Sequence, residues 1–147
     1  MMIVGIDPDT QAHGVAIFQN GELTRLEQWP LMELMAWVQS VQSIKYADGL
    51  IFSIENVLAN GFVYARNVQS SGAANAKVAK NIGQCQQSQT ELMRMLDYLG
   101  VPYVLHNPAK SNWAKNRAMF EKVTGWNIQS NEDKRSAAYF GWLEAKR

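Results

Sequence analysis

Asp7 closes the apolar run that begins at Met2, and Glu55 closes a second one, Leu50 to Ile54. A carboxylate at the C-terminal end of a buried strand points into the crevice where α/β sheets take their ligands. Glu132 and Asp133 lie in the first turn of a last helix that begins near Ser130 or Asn131. If the two strands are neighbours, all four acids face one point. Such an oxygen-rich cluster suits Mg²⁺ or Mn²⁺ better than metals that seek sulfur or imidazole. Two ions roughly 3.5 to 4 Å apart can activate a water and stabilise the leaving oxygen of a phosphodiester. Each acid also has a purely structural reading: Asp7-Pro8 as a turn, Glu55 as a strand end, Ser130 with Asp133 as a capping box. Three acidic positions, each at the end of a core element, together favour the metal site.

The elements that must position these acids are legible in outline. Met2–Asp7 and Val15–Phe18 are apolar runs joined by a polar loop around His13 and Gly14. Asn20-Gly21 is a strong hairpin signal, and Glu22–Trp29 alternates well enough for a third strand. Pro30 opens a helix whose apolar positions Leu31, Leu34, Met35, Val38 and Val41 recur at helical spacing. A short fourth strand, Leu50–Ile54, follows. Residues 59–80 have no clear period and predict a mobile loop or a loosely held helix start. Ile82, Cys85, Leu92, Met93, Met95, Leu96 and Leu99 then mark a long amphipathic helix. Val101–Leu105 reads as a fifth strand, Trp113–Val123 as a helix, and the final helix runs to the end. Hairpin strands first and helix-crossed strands later predict a mixed sheet covered by helices.

The chain has 147 residues with 47% hydrophobic and 18% charged, which predicts one globular domain spanning 1–147. No run approaches the roughly 18 apolar residues of a membrane span, and the start lacks signal-peptide character, so a cytoplasmic protein is expected. Cys85 is the single cysteine; in an apolar helical repeat it reads as a buried thiol, not a redox or zinc group. His13 and His106 read as turn and strand-end residues, and Trp29, Trp37, Trp126 and Trp142 mostly as core. The net charge of +1 conceals an asymmetry. Residues 1–59 hold two Lys/Arg against seven Asp/Glu, a net of −5, whereas residues 60–117 hold seven against two, a net of +5. A basic middle containing Lys77, Lys80, Lys110 and Arg117 can meet a polyanion, although a solvated face is the alternative.

Taken in order, the motifs carry a resemblance. Ile3 to Thr10 followed by Gly14 to Ile17 resembles the opening motif of RuvC-type Holliday junction resolvases, and Phe52 to Val57 resembles their second motif. Ile82-Gly83-Gln84, then Val101-Pro102, Asn107-Pro108 and Trp113 to Lys115, resemble the following helix, strand and basic segment. Asn131 to Ala138 resembles the last acidic motif. The short length and Gln-rich middle resemble phage-borne members.

This resemblance implies an RNase H-like α/β fold of five mixed strands flanked by helices. It also implies a Mg²⁺- or Mn²⁺-dependent homodimer that nicks opposed strands of four-way and other branched DNA. Two-fold symmetry in the DNA is then met by two-fold symmetry in the protein. Asp7, Glu55 and Asp133 match the family's metal ligands. The second acid of the last motif is Ser136 here. Either Glu132 supplies the missing carboxylate, or the second metal is held weakly, or the protein binds junctions and cuts them poorly; the first is adopted. Lys115 matches the family's basic residue, with Lys110 as rival, for holding the scissile phosphate. The aromatic that wedges into an opened junction is replaced by Leu58, which leaves Phe62 or Tyr64 as substitutes or as interface residues. Two other readings are weighed. An actin-like kinase needs a second domain, and an RNase H-like nuclease of ribosomal RNA precursors generally lacks the Glu55 acid.

Overall fold

The computed structural model describes residues 1–44, 49–59 and 72–147. Its elements in chain order are β1 (Met2–Asp7), β2 (His13–Gln19), β3 (Glu22–Trp29), α1 (Leu31–Ser43), β4 (Leu50–Glu55), a 3₁₀ turn (Val57–Ala59), α2 (Gly72–Leu99), β5 (Tyr103–His106), α3 (Arg117–Thr124) and α4 (Glu132–Ala145). They build a five-stranded sheet in the order β3-β2-β1-β4-β5. β1, β2 and β3 pair antiparallel, while β4 and β5 run parallel to β1. Asn20 (φ 52°) and Gly21 (φ 84°) both adopt the left-handed backbone of the tight hairpin their sequence predicts.

The strand period of two sorts the side chains between two cores. Met2, Val4 and Ile6 of β1, Val15 and Ile17 of β2, and Phe52 and Ile54 of β4 face one side. There they pack on Leu34, Val38 and Val41 of α1 and on Leu92, Met95 and Leu96 of α2. Ile3, Ala16, Phe18 and Leu26 face the other side, against Phe120 of α3, Ala137 and Ala138 of α4, and Trp113. Trp29 and Trp37 pack at the edge of the first core, and Trp126 and Trp142 at the edge of the second.

On the second side the contact is between backbones. Gly5 lies beneath α4, where a Cβ would come 2.1 Å from the Ala137 carbonyl oxygen and 2.6 Å from the Gly141 nitrogen. Gly14 repeats the arrangement one turn earlier, with its missing Cβ 2.4 Å from the Asp133 carbonyl oxygen. The Ser53 hydroxyl donates to the Phe140 carbonyl at 2.6 Å from the same face. At Gly5 and Gly14 α4 therefore rests directly on the sheet backbone, and its N-terminus overhangs the C-terminal ends of β1 and β4.

The structure decides one open alternative and shifts two element boundaries. α2 starts at Gly72, so over residues 72–80 the helix-start alternative holds; this Ala-rich stretch forms helix without a buried residue, and full burial begins at Gln89. Trp113 lies in a turn and fills the second core, while Asn116 caps α3 by accepting from the Met119 amide at 3.1 Å. β5 is shifted to Tyr103–His106. No helix among the described residues is long and apolar enough to cross a membrane.

The close approach makes a measurable demand. Gly5→Ala and Gly14→Ala should each lower stability by roughly 1–3 kcal/mol or more, because the new methyl meets backbone that cannot step aside. Gly83→Ala is the matched control: nothing lies within 4 Å of its added Cβ. Relief of helix-interior glycine should then stabilise by up to about 1 kcal/mol. Urea unfolding of the three variants checks the ordering.

Candidate active site

The register that pairs Ile6 with Ile54 sets Asp7 and Glu55 side by side, at the C-terminal ends of adjacent parallel strands. The same alternation turns both toward α4 and away from the first core. Together with Pro8, Asp9, Val57, Asp133 and three residues of α2, Asn81, Ile82 and Cys85, they line an open cavity of about 310 Å³. The lining has one acidic wall and one partly apolar wall. Among the described residues, no lysine or arginine lines it.

Asp7 is the electrostatic centre. Its pKa is pushed up to about 8, first by burial and then by the charges of Glu55 and Asp133, with a smaller push from Asp9. The Ser136 hydroxyl, itself buried, donates a hydrogen bond to Asp7 and partly offsets these effects. Burial raises Glu55 as well. Asp133 is raised by burial, then by Asp9 and Glu132. These acids are held together against their own repulsion. The N-terminus of α4 supplies some compensation, since its unpaired amides favour negative charge.

The acids are fixed by neutral partners. Gln28 of β3 donates from Nε2 to Asp133 Oδ2 at 3.0 Å, and its Oε1 accepts from Asn131 Nδ2 at 2.8 Å. Asn131 also caps α4, accepting from the Lys134 amide at 2.9 Å. Beyond Glu55, the chain is held by α2: the fully buried Gln89 donates to Asn56 Oδ1 at 3.0 Å and accepts from the Leu58 amide at 3.3 Å. Gln86 donates to the Val57 carbonyl at 3.2 Å. Buried His13 steadies the loop after Asp7 by accepting at Nδ1 from the Asp9 amide at 3.2 Å. Burial lowers its pKa to about 4, so the ring is neutral near pH 7.

The structure thus brings Asp7, Glu55 and Asp133 together, and it adds Asp9, which the sequence reads only as part of a turn. Glu132 does not join them. It is exposed and outside the cavity lining, because the sheet-facing stripe of α4 runs through Asp133, Ser136, Ala137 and Phe140 and leaves position 132 turned to solvent. Lys115 is exposed in the turn before α3. That turn is tied to α4 by Arg135, whose Nε and Nη2 donate to the Ala114 carbonyl at 3.1 and 2.8 Å. Lys77, Lys80, Lys110 and Arg117 are exposed as well, and Arg117 pairs with Glu121 at 2.8 Å. Leu58 is 42% exposed, whereas Phe62 and Tyr64 lie outside the described residues. Cys85 is half-buried in the cavity wall, and burial with the nearby acids pushes its thiol pKa up, away from thiolate reactivity.

The donor set fits a hard divalent cation: carboxylate oxygens with no competing ammonium in the lining. Among the described residues, no three Asp, Glu, His or Cys side chains close around a point tightly enough to cage an ion by themselves.

An RNase H-like α/β fold, with a five-stranded mixed sheet and helices on both faces, is the class these features define. Thermus thermophilus RuvC in complex with Holliday junction substrate matches with a TM-score of 0.58 at 14% identity, over 99% of this chain and 92% of that one. A second structure of Thermus thermophilus RuvC gives 0.56 at 16% identity, over 99% and 93%. No protein-family model matches the sequence, and no match to a curated protein sequence is found.

Asp7 carries a pH signature. Its folded pKa of about 8 lies above its ordinary value of 3.8, so the folded state binds the extra proton between those limits. Its contribution is full below pH 3.8 and is lost as pH rises toward 8, at about 1.4 kcal/mol per pKa unit. In chelator, Asp7→Asn should therefore unfold at a higher temperature than wild type, by a margin that widens from pH 4 to pH 8. A margin constant across that range would show that Asp7 titrates normally.

Proposed function

We propose that this protein is a divalent-metal-dependent endonuclease that recognises four-way and other branched DNA junctions and resolves them by paired nicks. One observation carries the reading. Asp7 and Glu55 stand side by side, with Asp133 facing them from the start of α4, on a fold shared with a RuvC captured on a Holliday junction. Asp7, Glu55 and Asp133 would hold Mg²⁺ or Mn²⁺, which when bound supplies Lewis-acid activation of water and neutralises charge on the phosphate.

The chain's own residues supply the rest. Asp7 and Glu55 accept the cation at the strand ends, Ser136 orients Asp7, and the apolar side of the cavity from Val57 and Ile82 limits the water around it. Lys115, exposed in the turn before α3, meets the scissile phosphate. Lys77 and Lys80 on the exposed face of α2, with Lys110 and Arg117, contact the DNA backbone. A homodimer sets one such site on each of two opposed strands.

Ser136 gives weight to a second reading, a junction-binding protein that cuts weakly. A hydroxyl occupies the position next to Asp7 where the resemblance implies a carboxylate, and it brings no charge to a second ion.

Incubation with a labelled four-way junction and a matched linear duplex, in Mg²⁺ or in chelator, separates these outcomes. Symmetric nicks in the junction with Mg²⁺, none in chelator and none in the duplex are expected. Asp7→Asn and Glu55→Gln should each reduce nicking by at least roughly two orders of magnitude while junction binding persists. Binding without nicks by the wild type, together with nicking gained by Ser136→Asp, would establish the weak binder instead. Each of Lys77, Lys80, Lys110 and Arg117 that meets a phosphate should, when changed to Ala, reduce the salt dependence of binding by about one unit of slope.

A further inference from the structure

Gln28 lies on the edge strand β3, opposite Gly14 in register and 105 residues from the acid it touches. Its amide can point only one way. Oε1 faces the Asn131 amide nitrogen, and Nε2 faces the Asp133 carboxylate, which accepts but does not donate when ionised. The same Asn131 caps α4, and Gly14 lets the Asp133 backbone sit directly on the sheet. Backbone approach, helix cap and side-chain bond therefore converge on one residue. The bonded atom is Oδ2, so the other carboxylate oxygen of Asp133 remains for the cavity.

The chemistry of the partner matters. An Arg or Lys at position 28 would orient the carboxylate equally well but would neutralise it and compete with a bound cation. A neutral amide fixes the geometry and leaves the full negative charge. We infer that Gln28 is a positioning residue that holds Asp133 as a charged, cation-facing carboxylate. This rests on the proposed metal-dependent function and goes further, by assigning the β2–β3 hairpin a part in cation binding.

A double-mutant cycle on the full chain tests it, with Mn²⁺ alone as probe and calorimetric affinity as readout. Gln28→Met keeps the volume and removes both bonds. It should weaken Mn²⁺ binding by about 10-fold or more, the usual effect of losing an outer partner of a metal ligand. In an Asp133→Asn background the same change should have no effect on Mn²⁺ affinity, because the carboxylate it positions is already gone. A merely structural role would cost the same factor in both backgrounds and would overturn the inference, as would an unchanged affinity in the single variant. Thermal unfolding verifies that the variants are folded; if Gln28→Met is not, Gln28→Val, which favours strand and lacks the amide, carries the same cycle. The underlying reading fails separately. Wild type that binds no Mn²⁺, or binds it equally after Asp7→Asn, removes the metal site and this inference with it.

Discussion

Everything at the cavity depends on how closely α4 can approach the sheet. A helix on a sheet is ordinarily held off by the side chains between them. Here Gly5 and Gly14 remove that layer at two successive turns, and Gly141 meets Phe18 and Gly5 from the helix side. The consequence is translational. Asp133 and Ser136, which belong to the first turns of the helix, descend to the level of the strand ends where Asp7 and Glu55 stop. A Cβ at either glycine would press on the α4 backbone and push the helix acids away from the strand ends. The glycines are thus part of the site even though they contribute no functional group to it.

That proximity has an energetic counterpart. Four carboxylates share one partly buried region, with hydroxyl, amide and helix-terminus dipoles as their described compensation. The raised pKa values of Asp7 and Asp133 express desolvation and then mutual repulsion, and that of Glu55 expresses desolvation. A fold selected for stability alone would replace at least Asp7 by an amide or an apolar residue. The strain is tolerable because it is concentrated on one face, while the opposite face is a conventional apolar core in which Phe52, Ile54, Leu92 and Leu96 are fully buried. A bound cation reverses the sign of the interaction, turning mutual repulsion into shared attraction.

Much of this was legible in the sequence for a simple physical reason: strands advertise themselves by period, and their last residues by a change from apolar to acidic. Asp7 and Glu55 could be placed at strand ends because Ile6 and Ile54 precede them, and Asn20-Gly21 fixed the hairpin. What could not be read depends on phase and distance. Whether Glu132 or Asp133 faces the sheet is decided by a 100° rotation about α4, and the helix start alone does not set that phase. Gln28 gives no local signal at all, since its partner lies 105 residues away. Over residues 72–80 the sequence leaves loop and helix start open, because alanine-rich helix without a buried residue has no apolar period to decide between them. Trp113 looked like a helix start, yet its ring is used as a plug in the second core, packing on Phe120, Tyr139 and Trp142.

Ser136 and Asp9 act on the same acid in opposite directions. Ser136 removes a charge beside Asp7 and returns a hydrogen bond, which eases the crowding at the most buried acid. Asp9 lines the cavity from the loop after β1 and adds charge near both Asp7 and Asp133. The acids of the cavity thus come from the loop after β1 as well as from the strand ends and α4. A loop acid differs from a helix acid in rigidity, but this loop is braced: His13 binds the Asp9 amide, and Asp9 Oδ1 accepts from the Thr10 amide at 2.6 Å. Because His13 is buried and neutral, it braces the loop without adding a positive charge that would compete for the acids. Gln28, Gln89 and His13 solve the same problem at three edges of the cavity, each fixing a carboxylate-bearing segment with an uncharged group. The proposed cation site needs its acids both immobile and unpaired, and uncharged braces are the side chains that satisfy both conditions at once.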